Sequence, residues 1–243
     1  MEKVAIIGMG TMGSAMRDLL EEKYEVVGIG RDCEDLRVVS EADAVIMAVK
    51  PQSFADTADR LWMHMRDEQL VISIMAGITL RALRRRLGND NVVRTMPNLG
   101  LAQGQSLTAW YANRQTDTTQ AEAIIGMWGA DIQLEDETQF HAFTALAGSG
   151  PAYFFELART LEVSARQYGF TPAQARLIGT RTLLSTASVV GSETDLTAQV
   201  QRVASKGGTT EAALTVLRQR GFEQMVDSAI ETACERSREL GRK

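Results

Sequence analysis

The stretch Val4-Ala5-Ile6-Ile7-Gly8-Met9-Gly10-Thr11-Met12-Gly13 decides how the first half of the chain is read. Four consecutive apolar residues suit a strand buried on both faces, where neither side of the pleat meets water. The glycines follow at once in the spacing GxGxxG, and Met12, Met16, Leu19 and Leu20 then repeat at helical spacing. Taken alone the three glycines are a weak signal, since a plain strand-to-helix turn would use them too. Between a buried strand and a helix they carry a mechanism. Gly8 permits the tight turn, Gly10 lets a pyrophosphate approach the backbone, and Gly13 lets helix and strand pack closely while the helix N-terminus faces the phosphates. Gly8, Gly10, Thr11, Met12 and Gly13 are therefore expected to bind a dinucleotide.

Working outward, residues 25–29, 44–49 and 70–74 read as further buried strands, with a helical stretch over 53–65 between the last two. Leu80, Leu83 and Leu87 predict a helix capped by Thr79 and closed by Gly88. Residues 92–94, 107–110 and 131–134 look like additional strands. Strands alternating with helices imply a mostly parallel sheet with right-handed crossovers. The pattern changes near residue 148. Helical runs then cover 152–168, 172–190, 196–204, 211–220 and 222–240, with Thr171-Pro172 as a helix start and Gly221 as a break. The expectation is an α/β protein: a Rossmann-like dinucleotide-binding sheet over residues 1–147, then an all-helical domain over 148–243.

Composition limits the classes of function. Of 243 residues, 44% are hydrophobic and 23% charged, enough apolar material for a core without staples. A net charge of -5 gives no electrostatic footprint for nucleic acid. The one basic run, Arg81 with Arg84, Arg85 and Arg86, reads as a solvated helix face. Cys33 and Cys234, like His64 and His141, stand too far apart in sequence to suggest a disulfide framework or a metal site. The chain enters a strand directly after Met-Glu-Lys, leaving no room for a signal peptide, and no apolar run approaches the ~20 residues that span a bilayer. A soluble, cytoplasmic protein is expected, with no membrane partner.

Cofactor choice turns on the end of the second strand. NAD sites usually place a carboxylate there for the ribose 2′-hydroxyl. Here the strand ends Ile29-Gly30-Arg31-Asp32. Gly30 offers no carboxylate, and the forked donors of Arg31 suit a 2′-phosphate. Asp32 turned inward is the alternative, and Arg31 as a solvated loop charge the bland one. NADP is the preferred expectation, with NAD left open.

Further stretches fall in register with the glycine loop. Ala48-Val49-Lys50-Pro51-Gln52 ends the third strand, where open α/β sheets bind ligands. Met96-Pro97-Asn98 follows the strand end Ser73-Ile74-Met75-Ala76-Gly77-Ile78. Thr144-Ala145-Leu146-Ala147-Gly148-Ser149-Gly150-Pro151-Ala152-Tyr153 is paired, in the helical half, with Ser205-Lys206-Gly207-Gly208-Thr209-Thr210. In order and spacing, from residue 4 to about residue 240, these resemble the pyrroline-5-carboxylate reductase family. The resemblance implies reduction of the cyclic imine 1-pyrroline-5-carboxylate to L-proline by NAD(P)H. It also implies a helical domain that forms a homodimer or higher homo-oligomer, and cofactor contacts at Ala48, Val49, Lys50, Ala76 and Asn98. Gly148 to Pro151 would be the hinge entering the long helix.

An imine accepts hydride readily, so such a site needs position and electrostatics more than a nucleophile. Gly207, Gly208 and Thr209 are expected to hold the substrate carboxylate through backbone amides, supported by Ser205. By the resemblance Thr210 bonds the ring nitrogen and is the catalytic residue; capping the helix is its plainer role. Lys50 is assigned to the cofactor rather than to acid catalysis, so the proton comes from solvent or arrives with the substrate. Three departures from the family pattern stand out, one being a 31–44 stretch short for the strand and helix expected there. Leu99-Gly100 replace the usual Thr-Pro, and Lys206 stands where proline is usual. Lys206, Leu99 and Gly100 motivate one alternative, a paralogue reducing another cyclic imine acid; a non-catalytic dinucleotide-binding regulator is a separate one. Dehydrogenases of the β-hydroxyacid or 6-phosphogluconate type need a lysine on the long interdomain helix, and residues 152–168 contain none.

Overall fold

Alternate residues of β1 (Lys3–Ile7) enter different cores. Ala5 and Ile7 pack into one apolar cluster and Val4 and Ile6 into another on the opposite face of the sheet. The pleat sends successive side chains to opposite sides, so a strand covered on both must be apolar throughout. The computed structural model describes residues 1–31 and 36–241. It places β1 in a sheet with β2 (Glu25–Ile29), β3 (Ala44–Met47), β4 (Leu70–Ser73), β5 (Val92–Met96), β6 (Ser106–Ala112) and β7 (Gly129–Gln133). The order is β2-β1-β3-β4-β5-β6-β7. Pairs among β1 to β5 are parallel, β6 runs antiparallel to β5, and β7 is parallel to β6. The expected parallel-dominated sheet is thus present, with one reversal. The 97–105 connection holds only a 3₁₀ turn, Leu99–Gln103, too short for the crossover that a parallel pair requires.

Helices α1 (Thr11–Leu20), α2 (Arg37–Glu41), α3 (Phe54–Leu61), α4 (Leu80–Leu87) and α5 (Thr119–Ile125) flank the strands. Phe54, Ala58 and Leu61 of α3 and Leu80, Leu83 and Leu87 of α4 fill one core. Met16 and Leu20 of α1 and Ala121, Ile124 and Ile125 of α5 fill the other. The caps of α4 are those its sequence implies: the Thr79 hydroxyl accepts the Ala82 amide, and Gly88 ends the helix in the left-handed conformation at φ 64°. Sequence reading passed over α5, although Ala121, Ile124 and Ile125 carry the i, i+3, i+4 spacing. Between β2 and β3 the described helix is the five-residue α2, in keeping with the short 31–44 stretch. The inward turn considered for Asp32 lies outside the described residues.

The chain divides into two compact units: Met1–Gly148 with the end of the chain from Ala233, and Ser149–Thr232. The sequence division at 147/148 is a single cut, whereas the contacts group the last turns of the final helix with the sheet. In the first unit α6 (Gln139–Phe143) runs into a π-helical turn, Thr144–Gly148. The second unit holds α7 (Gly150–Gln167), α8 (Pro172–Ala187), α9 (Leu196–Val203), α10 (Thr209–Gln219) and the start of α11 (Phe222–Gly241). A Cβ at Gly179 would stand 2.7 Å from the Ala158 carbonyl oxygen, so glycine is what lets α7 and α8 approach. This unit buries little by itself: Phe154, Leu157, Leu177, Leu184 and Val203 are all exposed. Among the described residues, no helix is long and apolar enough to cross a membrane.

Candidate active site

The glycine loop is held at both ends by the sheet. The Gly8 amide donates to the Ile29 carbonyl at 2.9 Å and the Ala48 amide to the Ile7 carbonyl at 2.8 Å, so the ends of β1, β2 and β3 converge. Gly8 sits at φ 107°, where a Cβ would lie 2.8 Å from backbone atoms of Ala48 and Val49. At Gly13 a Cβ would come within 2.0 Å of the Gly8 carbonyl oxygen. At Gly10 it would meet nothing within 4 Å among the described residues. Gly10 is also the N-cap of α1 and makes no side-chain capping bond, so the first amides of the helix open onto that space. A cradle that a Cβ would fill, in front of uncapped amides and the positive end of a helix, fits a pyrophosphate.

The cradle leads into a cleft of about 560 Å³. Ile7, Ile29, Leu36 and Leu61 give it apolar walls, and Arg31, Lys50 and Arg60 give it cations. Gly8, Gly10, Arg31, Ala48, Val49 and Lys50, all assigned to cofactor from sequence, line it together. Strand β3 stops at Met47, which releases Ala48, Val49 and Lys50 into the loop at the cleft. Thr11 and Met12 open α1 and Gly13 is buried beneath the loop; none of the three lines the cleft. Ala76 is exposed beyond the end of β4, also away from the lining. Ser53, Asp56, Thr57 and Arg60 line the cleft and were missed in the sequence. Their i, i+3, i+4, i+7 spacing after Lys50-Pro51 was the available signal for one polar helix face.

Asn98 is committed to structure through all its polar atoms. Its Oδ1 accepts the amides of Gly100 at 3.0 Å and Leu107 at 3.3 Å, and its own amide donates to Ser106 Oγ at 3.0 Å. Its Nδ2 donates to the Ala147 carbonyl at 3.4 Å. In a continuing α-helix that carbonyl would accept the amide of residue 151, but Pro151 has none to give. Close by, Arg94 of β5 is only 5% exposed. Its Nη1 lies 2.7 Å from Glu137 Oε1, which also accepts the Leu80 amide at 2.6 Å, and its guanidinium stacks 4.2 Å from the Phe140 ring centre. Burial draws the Arg94 pKa down and Glu137 opposes it. On α6, His141 Nδ1 is 3.0 Å from Ser237 Oγ of α11. Its pKa is lowered, first by burial and then by the positive charges of Arg94 and Arg238.

In the second unit the loop from Ser205 turns into α10. Gly208 is the N-cap and makes no side-chain bond, so Thr210 is the second helical residue and not the cap considered for it. Two of the amides that sequence reading offered to a carboxylate are engaged. The Gly207 amide donates to Glu211 Oε2 at 2.6 Å, and the Gly208 amide to the Ser205 carbonyl at 2.9 Å. The amides of Thr209 and Thr210 belong to the first turn, where no intrahelical acceptor exists. Among the described residues the Thr210 hydroxyl has no hydrogen-bond partner, and Lys206 is exposed.

A parallel-dominated sheet with a glycine cradle at the carboxyl ends of β1, β2 and β3, followed by a helical unit, defines an NAD(P)-binding oxidoreductase of Rossmann type. The comparisons sharpen this. Residues 137–240 match the family described as pyrroline-5-carboxylate reductase dimerisation, and residues 3–121 the NAD binding domain of 6-phosphogluconate dehydrogenase. A pyrroline-5-carboxylate reductase of Pseudomonas aeruginosa is 37% identical over 207 residues, 83% of this chain and 76% of that one. The structure of a pyrroline-5-carboxylate reductase from Coxiella burnetii superposes with a TM-score of 0.89 at 30% identity, covering 98% of this chain and 97% of the other. A 1-pyrroline-5-carboxylate reductase from Streptococcus pyogenes gives 0.83 at 28% identity over 98% of both chains. The chain belongs to the pyrroline-5-carboxylate reductase family.

Proposed function

We propose that this chain reduces 1-pyrroline-5-carboxylate to L-proline, with NADPH preferred over NADH, and works as a homo-oligomer. Within the family assignment, the observation that carries the reaction is the head of α10, where a first-turn amide and an unbonded threonine hydroxyl stand side by side at Thr210. The amides of Thr209 and Thr210, reinforced by the helix dipole, take the substrate carboxylate. The Thr210 hydroxyl bonds the ring nitrogen and fixes the face of the C=N bond presented for reduction. NAD(P)H, when held in the cleft, would supply the hydride for the imine carbon. The C=N π electrons pass to nitrogen, which carries a proton from solvent or from the already protonated imine, and the product is the secondary amine. No motif residue is needed as a nucleophile. Lys50 lines the dinucleotide cleft and serves the cofactor. The NADPH preference follows from Arg31 in that cleft and from Gly30, which has no carboxylate for a ribose 2′-hydroxyl. The oligomer follows from the apolar faces of α7 and α8, since exposed side chains such as Phe154, Leu177 and Leu184 favour burial against another subunit.

The second reading is a paralogue reducing another cyclic imine acid, motivated by Leu99-Gly100 and Lys206 standing where the family usually has Thr-Pro and proline. The test follows NADPH and NADH absorbance with five-membered and six-membered cyclic imine acids. With the five-membered substrate, Thr210→Ala should lower kcat/KM by about 10- to 100-fold, the worth of a hydrogen bond to a charged group, and Thr210→Ser should keep most of it. Turnover of the six-membered ring alone would replace the proline assignment. Tight dinucleotide binding without any turnover would leave a regulator.

A further inference from the structure

The cleft holds a cation that the cofactor assignment does not use. Arg60 stands on the last turn of α3, away from the glycine loop in sequence, and faces the same cavity. Its Nη1 donates to the backbone carbonyl of Arg31 at 3.3 Å. That bond brings the guanidinium to the carboxyl end of β2, the point where this fold receives the adenosine ribose. Among the described residues, a Cβ on Gly30 would meet nothing within 4 Å. The described charged residues of the lining are Arg31, Lys50, Arg60 and Asp56, and the nearby Asp59 lies outside the lining and binds Arg86 at 2.8 Å.

We propose that Arg60 determines cofactor specificity by receiving the 2′-phosphate of NADPH together with Arg31. This rests on the reading of the cleft as the dinucleotide site and deepens it. A 2′-phosphate carries close to two negative charges at neutral pH, its second ionisation lying near 6. A guanidinium presents paired donors in one plane and can bond two phosphate oxygens at once, which an ammonium cannot. The tether to the Arg31 carbonyl fixes one edge of the fork and lowers the side-chain freedom lost on binding. Arg60 touches no reacting atom in this arrangement. It selects the cofactor and leaves the hydride step unchanged.

The experiment compares adenosine 2′,5′-bisphosphate with adenosine 5′-monophosphate by titration calorimetry, on the full chain and on Arg60→Ala and Arg60→Lys. Wild type should bind the bisphosphate more tightly. Arg60→Ala should weaken the bisphosphate about tenfold and leave the monophosphate within about twofold, with Arg60→Lys in between. The selectivity should also decline as the phosphate takes up its second proton near pH 6. Equal losses for both nucleotides would reduce Arg60 to a tether for the β2 loop and overturn the proposal. A preference that survives Arg60→Ala but vanishes in Arg31→Ala would overturn it too, while leaving the NADPH reading intact. Wild type binding neither nucleotide would sink the cleft as a cofactor site, and this proposal with it.

Discussion

At Gly10 a Cβ would meet no atom of the described residues within 4 Å, while at Gly13, three residues on, it would lie 2.0 Å from the Gly8 carbonyl oxygen. The motif shows both as G, yet they are glycine for different reasons: one keeps space for a ligand, the other lets α1 sit against its own loop. Their substitutions should therefore separate. Gly10→Ala should cost under about 1 kcal/mol of stability but weaken dinucleotide binding at least tenfold. Gly13→Ala should cost about 1–3 kcal/mol through overpacking, visible as a lower Tm without any cofactor present. Binding titration beside a thermal melt checks both, and a Gly10→Ala protein with unchanged affinity would refute the cradle. Glu211 shows what a residue-by-residue reading overlooks. Its carboxylate already takes the Gly207 amide, which moves the open donors of the loop to the head of α10.

Among the elements, the join between β5, the start of α4 and the turn before α6 rests on an ion pair whose arginine is buried. Arg94 has a side chain 7% exposed, and the same Glu137 oxygen that meets it at 2.7 Å also accepts the Leu80 amide at the start of α4. Removing the carboxylate strands a guanidinium in an apolar setting and frees a helix amide. Glu137→Ala should accordingly cost about 3 kcal/mol, read from denaturant unfolding, whereas Arg94→Met together with Glu137→Leu should recover much of that loss. No sequence signal paired these two, because their separation of 43 residues follows no local period. The caps were legible by contrast. Thr171 caps α8 and Pro172 takes its first position, as read from the sequence, and Gln174 completes a capping box with Thr171.

At the scale of the whole molecule, α11 begins in the helical unit and ends against the sheet unit. There a Cβ at Gly77 would lie 3.4 Å from the Gly241 Cα, and Ser237 meets His141. The groups facing His141 are Glu137 in the turn before its helix, Arg94 on β5 and Arg238 on α11. Its pKa is held below the ordinary value near 6.5, so as pH falls the unfolded chain takes up a proton that the folded chain resists. This contribution to stability is complete above about pH 6.5 and is lost as pH drops through the folded pKa. The Tm should fall between about pH 7.5 and pH 5, and His141→Gln should flatten that slope. An equal slope in the variant would place the acid sensitivity elsewhere.

The strands, the burial of β1 on both faces, the glycine cradle and the change to helices near residue 148 were legible in the sequence alone, because each depends on periodicity or on the conformational freedom of nearby residues. The reversal of β6 was implicit in the short 97–105 connection and became visible once the pairing was seen. Only the tertiary structure decided that Arg60 comes to the end of β2, that Asn98 is used up holding the Ala147 carbonyl, and that the tail of α11 returns to the sheet unit. These joins link residues far apart in sequence. Their partners are set by packing of the whole chain, and no local pattern of side chains records them.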